Sequence, residues 1–285
     1  MESEFFLLRN MRKYLALSIL FFLLAACTGE KKTQGRNITV TIEPLRYFTE
    51  QIAGSKFQVS TMVPQGSNPE TYEPTTRQMV KLADSQLYFK VGNIGFERTW
   101  MKRLTENVPD LKVIDTSRGI PLAKSNNGVP DPHTWMSCEN AIILSGNIYK
   151  ALVCEDPQDQ VYFKRNLDRL VSRIHSTDSQ IRSILQKSTG RTFLIYHPAL
   201  TYFAREYHLK QLPIEEEGRE PSAAQLRALI AEALKEHARV MLIQKEFSSR
   251  NTAIVTSGTH ARQEVINPLD YNWQKSILHI AYLLK

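Results

Sequence analysis

Three short segments of the chain place a carboxylate or a histidine directly beside a proline. The first contains Glu70 in the stretch GSNPETYEPT, which spans residues 66–75. The second is DPHTW with His133, and the third is YHP with His197. Carboxylate oxygens and imidazole nitrogens are common ligands of divalent transition metals in proteins. These residues can form a metal site only if their three side chains come together in the fold.

The pattern between these segments favours short strands that alternate with amphipathic helices. Strands are predicted at 38–42, 58–63, 87–91, 111–114, 193–196, 240–243 and 264–266, where β-branched and apolar residues run together. Helices are predicted at 44–52, 77–83, 96–106, 198–207, 222–236 and 271–284. This alternation predicts an α/β fold with small, mostly parallel sheets and flanking helices. Ligands of such sheets bind beyond the carboxyl ends of the strands, where the three segments are expected.

One long helical segment divides the chain into two α/β lobes. Asp156 and Pro157 are a good N-cap and first-turn pair, and neither glycine nor proline follows before Gly190. The apolar spacing predicts a helix of about 30 residues, about 45 Å long. The predicted plan is an N-terminal lobe at 37–155, a rigid linking helix at 156–188 and a C-terminal lobe at 189–285. Two helices broken near Ser176 and Thr177 are the alternative.

The N-terminal segment is typical of a secretory signal. Basic residues at 11–13 precede an apolar run that ends with LAAC at Cys27. The run is about 13 residues long, too short to span a bilayer, which needs about 20. We expect a lipoprotein-type signal peptide at 1–26, lipidation of Cys27 and a polar tether at 27–36. An ordinary signal peptide is the alternative; either places the protein in the cell envelope, facing the periplasm or the exterior.

The charge and the cysteines exclude other classes of protein. The net charge is +7 for the whole chain, and no dense cluster of lysine and arginine occurs, so nucleic acid is not an expected partner. Cys138 and Cys154 would lie about 24 Å apart on one helix, whereas a disulfide needs Cα atoms within about 7 Å. We therefore expect no disulfide. The protein is also expected to be a monomer.

The ordered motifs resemble those of the zinc- and manganese-type solute-binding lipoproteins of bacterial ABC transporters. The stretch at 66–74 matches the family segment Gly-x-x-Pro-His-x-Tyr-Glu-Pro apart from one residue, and 131–135 matches Asp-Pro-His-x-Trp throughout. His197 corresponds to the histidine form of the third ligand. Residues 215–226, EEEGREPSAAQL, are similar to the family's Glu-Pro-Ser loop. The likeness covers essentially the whole mature chain.

The resemblance implies a metal site with two departures. Glu70 stands where the family normally has a histidine, and Asn267 stands where several members place a fourth, carboxylate ligand. The implied ligands are Glu70, His133 and His197, with Asn267 or Asp270 as candidates for a fourth position. Two histidines and one glutamate suit Zn²⁺. The carboxylate also makes the set more suitable for Mn²⁺ or Fe²⁺ than three histidines would be.

Several candidate residues also have a structural interpretation. Glu70 or Glu73 could cap the helix that is expected to begin near Thr75. The stretch at 116–130 contains no histidine, so an auxiliary metal-gathering loop is not encoded. The remaining histidines are interpreted as structural or solvated; they are His175, His208, His237, His260 and His279.

The sequence therefore predicts a lipid-anchored receptor rather than an enzyme. It would capture a divalent transition metal in the interlobe cleft and deliver it to an ABC-transporter permease. A surface adhesin with a degenerate metal site is an alternative. A zinc hydrolase is disfavoured because the chain has neither a His-Glu-x-x-His helix nor a separately placed general base.

Overall fold

The computed structural model describes residues 36–124, 128–186, 190–215, 220–244 and 250–285. The expected signal peptide, the lipidation site Cys27 and nearly all of the expected tether lie outside the described residues. Within the described ranges, no helix combines the length and the apolar character that a membrane span requires.

Two four-stranded sheets form the framework, and every strand pairing is parallel. The first has the order β2-β1-β3-β4 and the second the order β6-β5-β7-β8. The strands are β1 Asn37–Val40, β2 Gln58–Thr61, β3 Ser85–Lys90, β4 Lys112–Asp115, β5 Thr192–Ile195, β6 Lys210–Pro213, β7 Val240–Gln244 and β8 Arg262–Ile266. The predicted α/β fold with two parallel-sheet lobes is confirmed.

Nine α-helices in the described ranges flank the sheets. They are α1 Glu43–Ala53, α2 Thr76–Leu82, α3 Gly95–Asn107, α4 Cys138–Glu155, α5 Gln160–Gln186, α6 Thr201–Glu206, α7 Ala223–Lys235, α8 Arg250–Thr259 and α9 Trp273–Leu283. Strand β6 and helix α8 are additions to the elements predicted from the sequence.

Helix α5 links the two lobes. It has 27 residues and is therefore about 40 Å long. It continues through Ser176 and Thr177, so the alternative of two separate helices is wrong; the Thr177 hydroxyl donates to the carbonyl of Arg173 inside the helix at 2.8 Å. Its buried face includes Leu170 and Ile174 and packs against α1, α4 and α9. The helix therefore contacts elements of both lobes.

Two buried tryptophans join the lobes directly beneath the cleft. The indole N–H of Trp135 donates to the carbonyl of Pro268 at 2.8 Å. The indole N–H of Trp273 donates to the carbonyl of Trp135 at 2.6 Å. Buried indoles need such partners, and here each partner belongs to the opposite lobe. The hydrophobic core is continuous across this contact.

Candidate metal centre

Loops from the carboxyl ends of both sheets meet around one small cavity of about 30 Å³. Glu70 follows β2, His133 lies between β4 and α4, and His197 follows β5. The lining residues are Asn68, Pro69, Glu70, Ile94, His133, Trp135, His197, Ala199, Gln244, Pro268 and Leu269. The two histidines and Glu70 therefore line one small space between the sheets.

The two histidines face each other across this cavity. Their Nε2 atoms are 3.1 Å apart. The Nδ1 atom of His133 lies 2.8 Å from Asp131 Oδ1, and that of His197 lies 3.1 Å from Glu215 Oε1. Because a carboxylate accepts a hydrogen bond from each Nδ1–H, the facing Nε2 atoms of the neutral rings carry lone pairs. Two nitrogens bound to one tetrahedral zinc lie about 3.3 Å apart, close to the spacing found here.

Asp131 fixes His133 through both its backbone and its side chain. The Asp131 carboxylate also accepts the backbone N–H of His133, at 2.8 Å. Burial alone would raise the pKa of Asp131, but its electrostatic and hydrogen-bond interactions with His133 outweigh burial, and the pKa is lowered. The hydroxyl of Tyr202, from the other lobe, donates to the Asp131 carbonyl at 2.8 Å. The turn that carries His133 is therefore held from both lobes.

Gln244 holds the backbone of His197. It ends strand β7, next to β5, and its side-chain amide donates to the His197 carbonyl at 2.9 Å. Its amide oxygen accepts the His197 N–H at 3.4 Å. Gln244 and Glu215 are both buried, so water does not compete for their contacts with His197. Sequence reasoning missed Gln244, although a polar residue that ends an apolar strand of a parallel sheet is a usable signal.

Glu70 caps a helix, but not the helix that the sequence suggested. Helix α2 is capped by Thr75 and Gln78 in a reciprocal capping box. The Glu70 Oε2 atom instead accepts the N–H of Gly95, the first residue of α3, at 3.0 Å. The backbone N–H of Glu70 donates to Asn68 Oδ1 at 2.9 Å. The Asn-Pro-Glu turn is therefore built to hold the start of α3.

The carboxylate of Glu70 lines the cavity without meeting both imidazoles. In the described parts of the chain, one group of three His, Cys, Asp or Glu side chains places a ligand atom from each within 4.8 Å of the others. That group is not formed by Glu70, His133 and His197. The ligand role of Glu70 stays a prediction, and it requires that the Glu70 segment or a histidine move.

The two candidates for a fourth ligand lie in turns beside the cavity. The Asn267 Oδ1 atom accepts the N–H of Leu269 at 3.0 Å, and the Asp270 Oδ1 atom accepts the N–H of Asn272 at 2.7 Å. Of this loop, Pro268 and Leu269 are the residues that line the cavity. Ligation by Asn267 or Asp270 stays a prediction, since neither residue is among those that line the cavity.

The group that does satisfy the 4.8 Å spacing lies elsewhere and consists of Cys138, Asp178 and Glu206. The Glu206 carboxylate accepts the N–H groups of Cys138 and Glu139 at the start of α4. Asp178 accepts from Tyr207 and pairs with Arg182. Burial raises the pKa of Cys138 to about 12. Both carboxylates of this cluster already have partners. The cluster therefore acts as a contact between helices α4, α5 and α6.

Three of the remaining histidines occupy positions with a left-handed backbone. His208, His237 and His260 have φ of 56°, 54° and 55° and follow helices α6, α7 and α8. Histidine is among the residues enriched in this conformation. These exposed side chains terminate helices and lie outside the residues that line the cavity.

Comparison with known proteins identifies the family. Residues 38–280 match the family model described as ZnuA, the periplasmic component A of a zinc-uptake complex. The chain belongs to the ZnuA family. This membership confirms the predicted class, the metal-type substrate-binding proteins of ABC transporters.

Relatives of this ZnuA-family chain cover most of its length. The high-affinity zinc uptake system protein ZnuA of Bacillus subtilis strain 168 is 27% identical over 275 residues, which are 87% of this chain and 86% of that protein. The zinc-binding lipoprotein AdcA of Streptococcus pneumoniae strain R6 is 27% identical over 90% of this chain, but the match spans only 54% of AdcA. A crystal structure of ZnuA has a TM-score of 0.83 at 33% identity and covers 87% of this chain and 97% of that one.

Proposed function

We propose that this chain captures one divalent transition metal between its two lobes, zinc in the first place, and delivers it to the permease of an ABC transporter. The observation that carries the proposal is the pair of facing Nε2 atoms of His133 and His197, 3.1 Å apart, with each Nδ1 atom on a carboxylate. In the neutral tautomers that these carboxylates favour, both Nε2 lone pairs point into the space between the rings, where a cation would bind. Relatives named for zinc uptake and zinc binding support the choice of metal.

Glu70 is proposed as the third ligand. Two imidazole nitrogens and one carboxylate oxygen are a zinc ligand set with an open position, which water, Asn267 or Asp270 would fill. Mn²⁺ or Fe²⁺ is the alternative cargo because a carboxylate is a harder ligand than an imidazole. Since Glu70 belongs to one lobe and His197 to the other, loading would stabilise one arrangement of the lobes, which a permease can recognise.

The proposed role is transport without a catalytic step. A hydrolase is disfavoured because the chain has no His-Glu-x-x-His helix and because relatives are named for zinc uptake and zinc binding. Lipidation at Cys27 would hold the protein at the membrane, facing the periplasm or the exterior. The monomeric state also stays part of the proposal.

The test is a metal titration of the soluble form that starts after Cys27. We expect one equivalent of zinc, measured by competition with a chelating indicator after metal stripping. Replacing His133, His197 or Glu70 by alanine should weaken binding strongly. The matched control is His175→Ala, which removes an exposed histidine from helix α5.

A dissociation constant of the wild-type chain weaker than about 1 μM, or about −8 kcal/mol, would refute the proposal. The adhesin alternative with a degenerate site would then account for the chain better. Tight binding that survives all three substitutions would instead mean that the metal binds elsewhere.

A further inference from the structure

Helix α3 engages one of the two carboxylate oxygens of Glu70. The Gly95 N–H donates to Oε2 at 3.0 Å, and an Arg98 guanidinium nitrogen lies 3.6 Å from the same oxygen. The positive end of the helix dipole also attracts the Glu70 carboxylate. No partner of Oε1 is found among the described residues, so one oxygen of Glu70 is engaged by the helix and the other is available.

The close approach of α3 to Glu70 depends on Gly95. A Cβ atom on Gly95 would lie 2.5 Å from Glu70 Oε2, 2.6 Å from the Glu70 carbonyl oxygen and 2.9 Å from its Cα. Two of these atoms belong to the backbone, so a change of side-chain rotamer cannot relieve the overlap. The next residue, Phe96, donates its N–H to the carbonyl of Pro69 at 2.9 Å. The first turn of α3 thus fixes where the Glu70 segment lies.

We propose that Gly95 and Arg98 are positioning residues that restrict Glu70 to one donor oxygen and thereby favour zinc over manganese. This inference rests on the proposed capture of a metal by Glu70, His133 and His197. With Oε2 engaged, these residues offer two nitrogens and one oxygen, which suits a four-coordinate ion. Manganese takes octahedral, oxygen-rich sites, and a bidentate carboxylate would supply one further oxygen. Arg98 opposes that binding mode.

The size of the effect of Arg98 on metal selectivity follows from the exposure of its ion pair with Glu70. The side chain of Arg98 is 54% exposed and that of Glu70 is 28% exposed, so solvent screens their attraction. Exposed ion pairs typically change an equilibrium by up to about five-fold. Arg98 is therefore expected to adjust selectivity, whereas Gly95, which fixes the backbone of Glu70, is expected to control affinity.

The first experiment compares Arg98→Gln with Arg103→Gln. Arg103 lies on the same helix, with its guanidinium over the ring of Trp100, and the described residues give it no carboxylate partner. Zinc and manganese dissociation constants are measured for the soluble chain, together with the visible absorption of the cobalt-loaded protein. Arg98→Gln should bind manganese about three- to five-fold more tightly, with zinc changed less than about two-fold. The cobalt bands should weaken as the coordination number rises, and Arg103→Gln should match the wild type.

The second experiment compares Gly95→Ala with Gly146→Ala. A Cβ on Gly146, within helix α4, would meet no atom within 4 Å. Gly95→Ala should displace Glu70 and reduce zinc affinity as far as Glu70→Ala does, whereas Gly146→Ala should bind zinc like the wild type. Circular dichroism tests whether both variants are folded. If Gly95→Ala does not fold, the comparison of Arg98→Gln with Arg103→Gln decides.

The possible results separate this inference from the proposed function. If the wild type binds zinc and Arg98→Gln keeps the wild-type ratio of manganese to zinc affinity, the role of Arg98 is refuted and metal capture stands. If Arg98→Gln weakens the binding of both metals equally, Arg98 is only structural and the inference fails. If the wild type binds no metal, the proposed function fails and this inference with it.

Discussion

Asp131 and Glu215 determine what His133 and His197 can do at the scale of single residues. Each carboxylate selects the tautomer in which Nδ1 carries the proton, and each adds negative charge next to a ring that would bind a cation. Without these partners, either imidazole could rotate or present a proton to the cavity. The carboxylates therefore orient the nitrogens that would bind the ion.

Asp131→Ala and Glu215→Ala should each weaken zinc binding by about 10- to 100-fold, the usual effect of removing a carboxylate that orients a metal-binding histidine. Competitive titration measures this change. Asp168→Ala is the control because Asp168 is exposed and pairs with Lys164, four residues away on α5. Wild-type affinity in both cavity variants would mean that the histidines need no such partners.

Cys138 and Cys154 should differ sharply in reactivity. The thiolate is the nucleophile, and a pKa of about 12 leaves about one Cys138 side chain in 10,000 ionised at pH 8. Cys154 is exposed. The soluble chain without Cys27 should react rapidly with one equivalent of a disulfide reagent when folded and with two when denatured. Rapid reaction of two equivalents in the folded state would contradict the burial of Cys138.

Helix α5 shows at the scale of secondary structure how the site is supported. Its buried stripe packs against helices of both lobes, while its opposite face is polar and solvated. An uninterrupted helix of 27 residues resists bending, so it is expected to limit how far the lobes separate. Release of the ion would therefore require shifts of loops or small rotations of a lobe.

Ile174→Ala should lower the free energy of unfolding by about 2–4 kcal/mol because it leaves a cavity where α5 meets its neighbours. Val161 on the same helix is 83% exposed, and Val161→Ala should change stability by less than about 0.5 kcal/mol. Urea denaturation of the two variants gives the comparison. Equal losses would contradict the amphipathic packing of α5.

The sequence predicted most elements because their signals are local. Helix α5 was found from an uninterrupted apolar spacing. Strand β6, Lys210–Pro213, was missed because it is a short edge strand with a lysine and a proline. Helix α8, Arg250–Thr259, was missed because it is rich in threonine and β-branched residues, which have low helix propensity.

The site also divides into features with a local sequence signal and contacts between residues far apart in the sequence. Glu70, His133 and His197 stand out as candidate ligands because of their flanking prolines and their places after strands. Their supporting contacts do not, since Glu215 is 18 residues from His197 and Gly95 is 25 residues from Glu70. Such pairings depend on the paths of loops, which no local pattern records.

The whole molecule consists of two lobes whose facing loops already touch. His133 and His197 contact each other across the cleft, and the tryptophan contacts beneath them cross it in both directions. A bound ion would add ligand bonds between the lobes, so its effect should extend to the stability of the entire fold.

Zinc should raise the melting temperature of the soluble chain, and a strong chelator should reverse the shift. At a free zinc concentration 100 times the dissociation constant, the added stability is about 2.7 kcal/mol. Differential scanning calorimetry provides the measurement. His197→Ala should melt at the same temperature with and without zinc, and a wild-type shift in that variant would place the stabilising metal elsewhere.

The position of Trp135 also gives the protein an optical readout. Its indole ring lies 5.3 Å from the ring of His133, and it is one of only three tryptophans in the chain. Any ion that binds His133 changes the charge beside that indole, so the intrinsic fluorescence of the unlabelled protein should report loading and unloading. Stopped-flow emission would then time the arrival and departure of the ion, and Trp135→Phe would identify the residue that gives the signal.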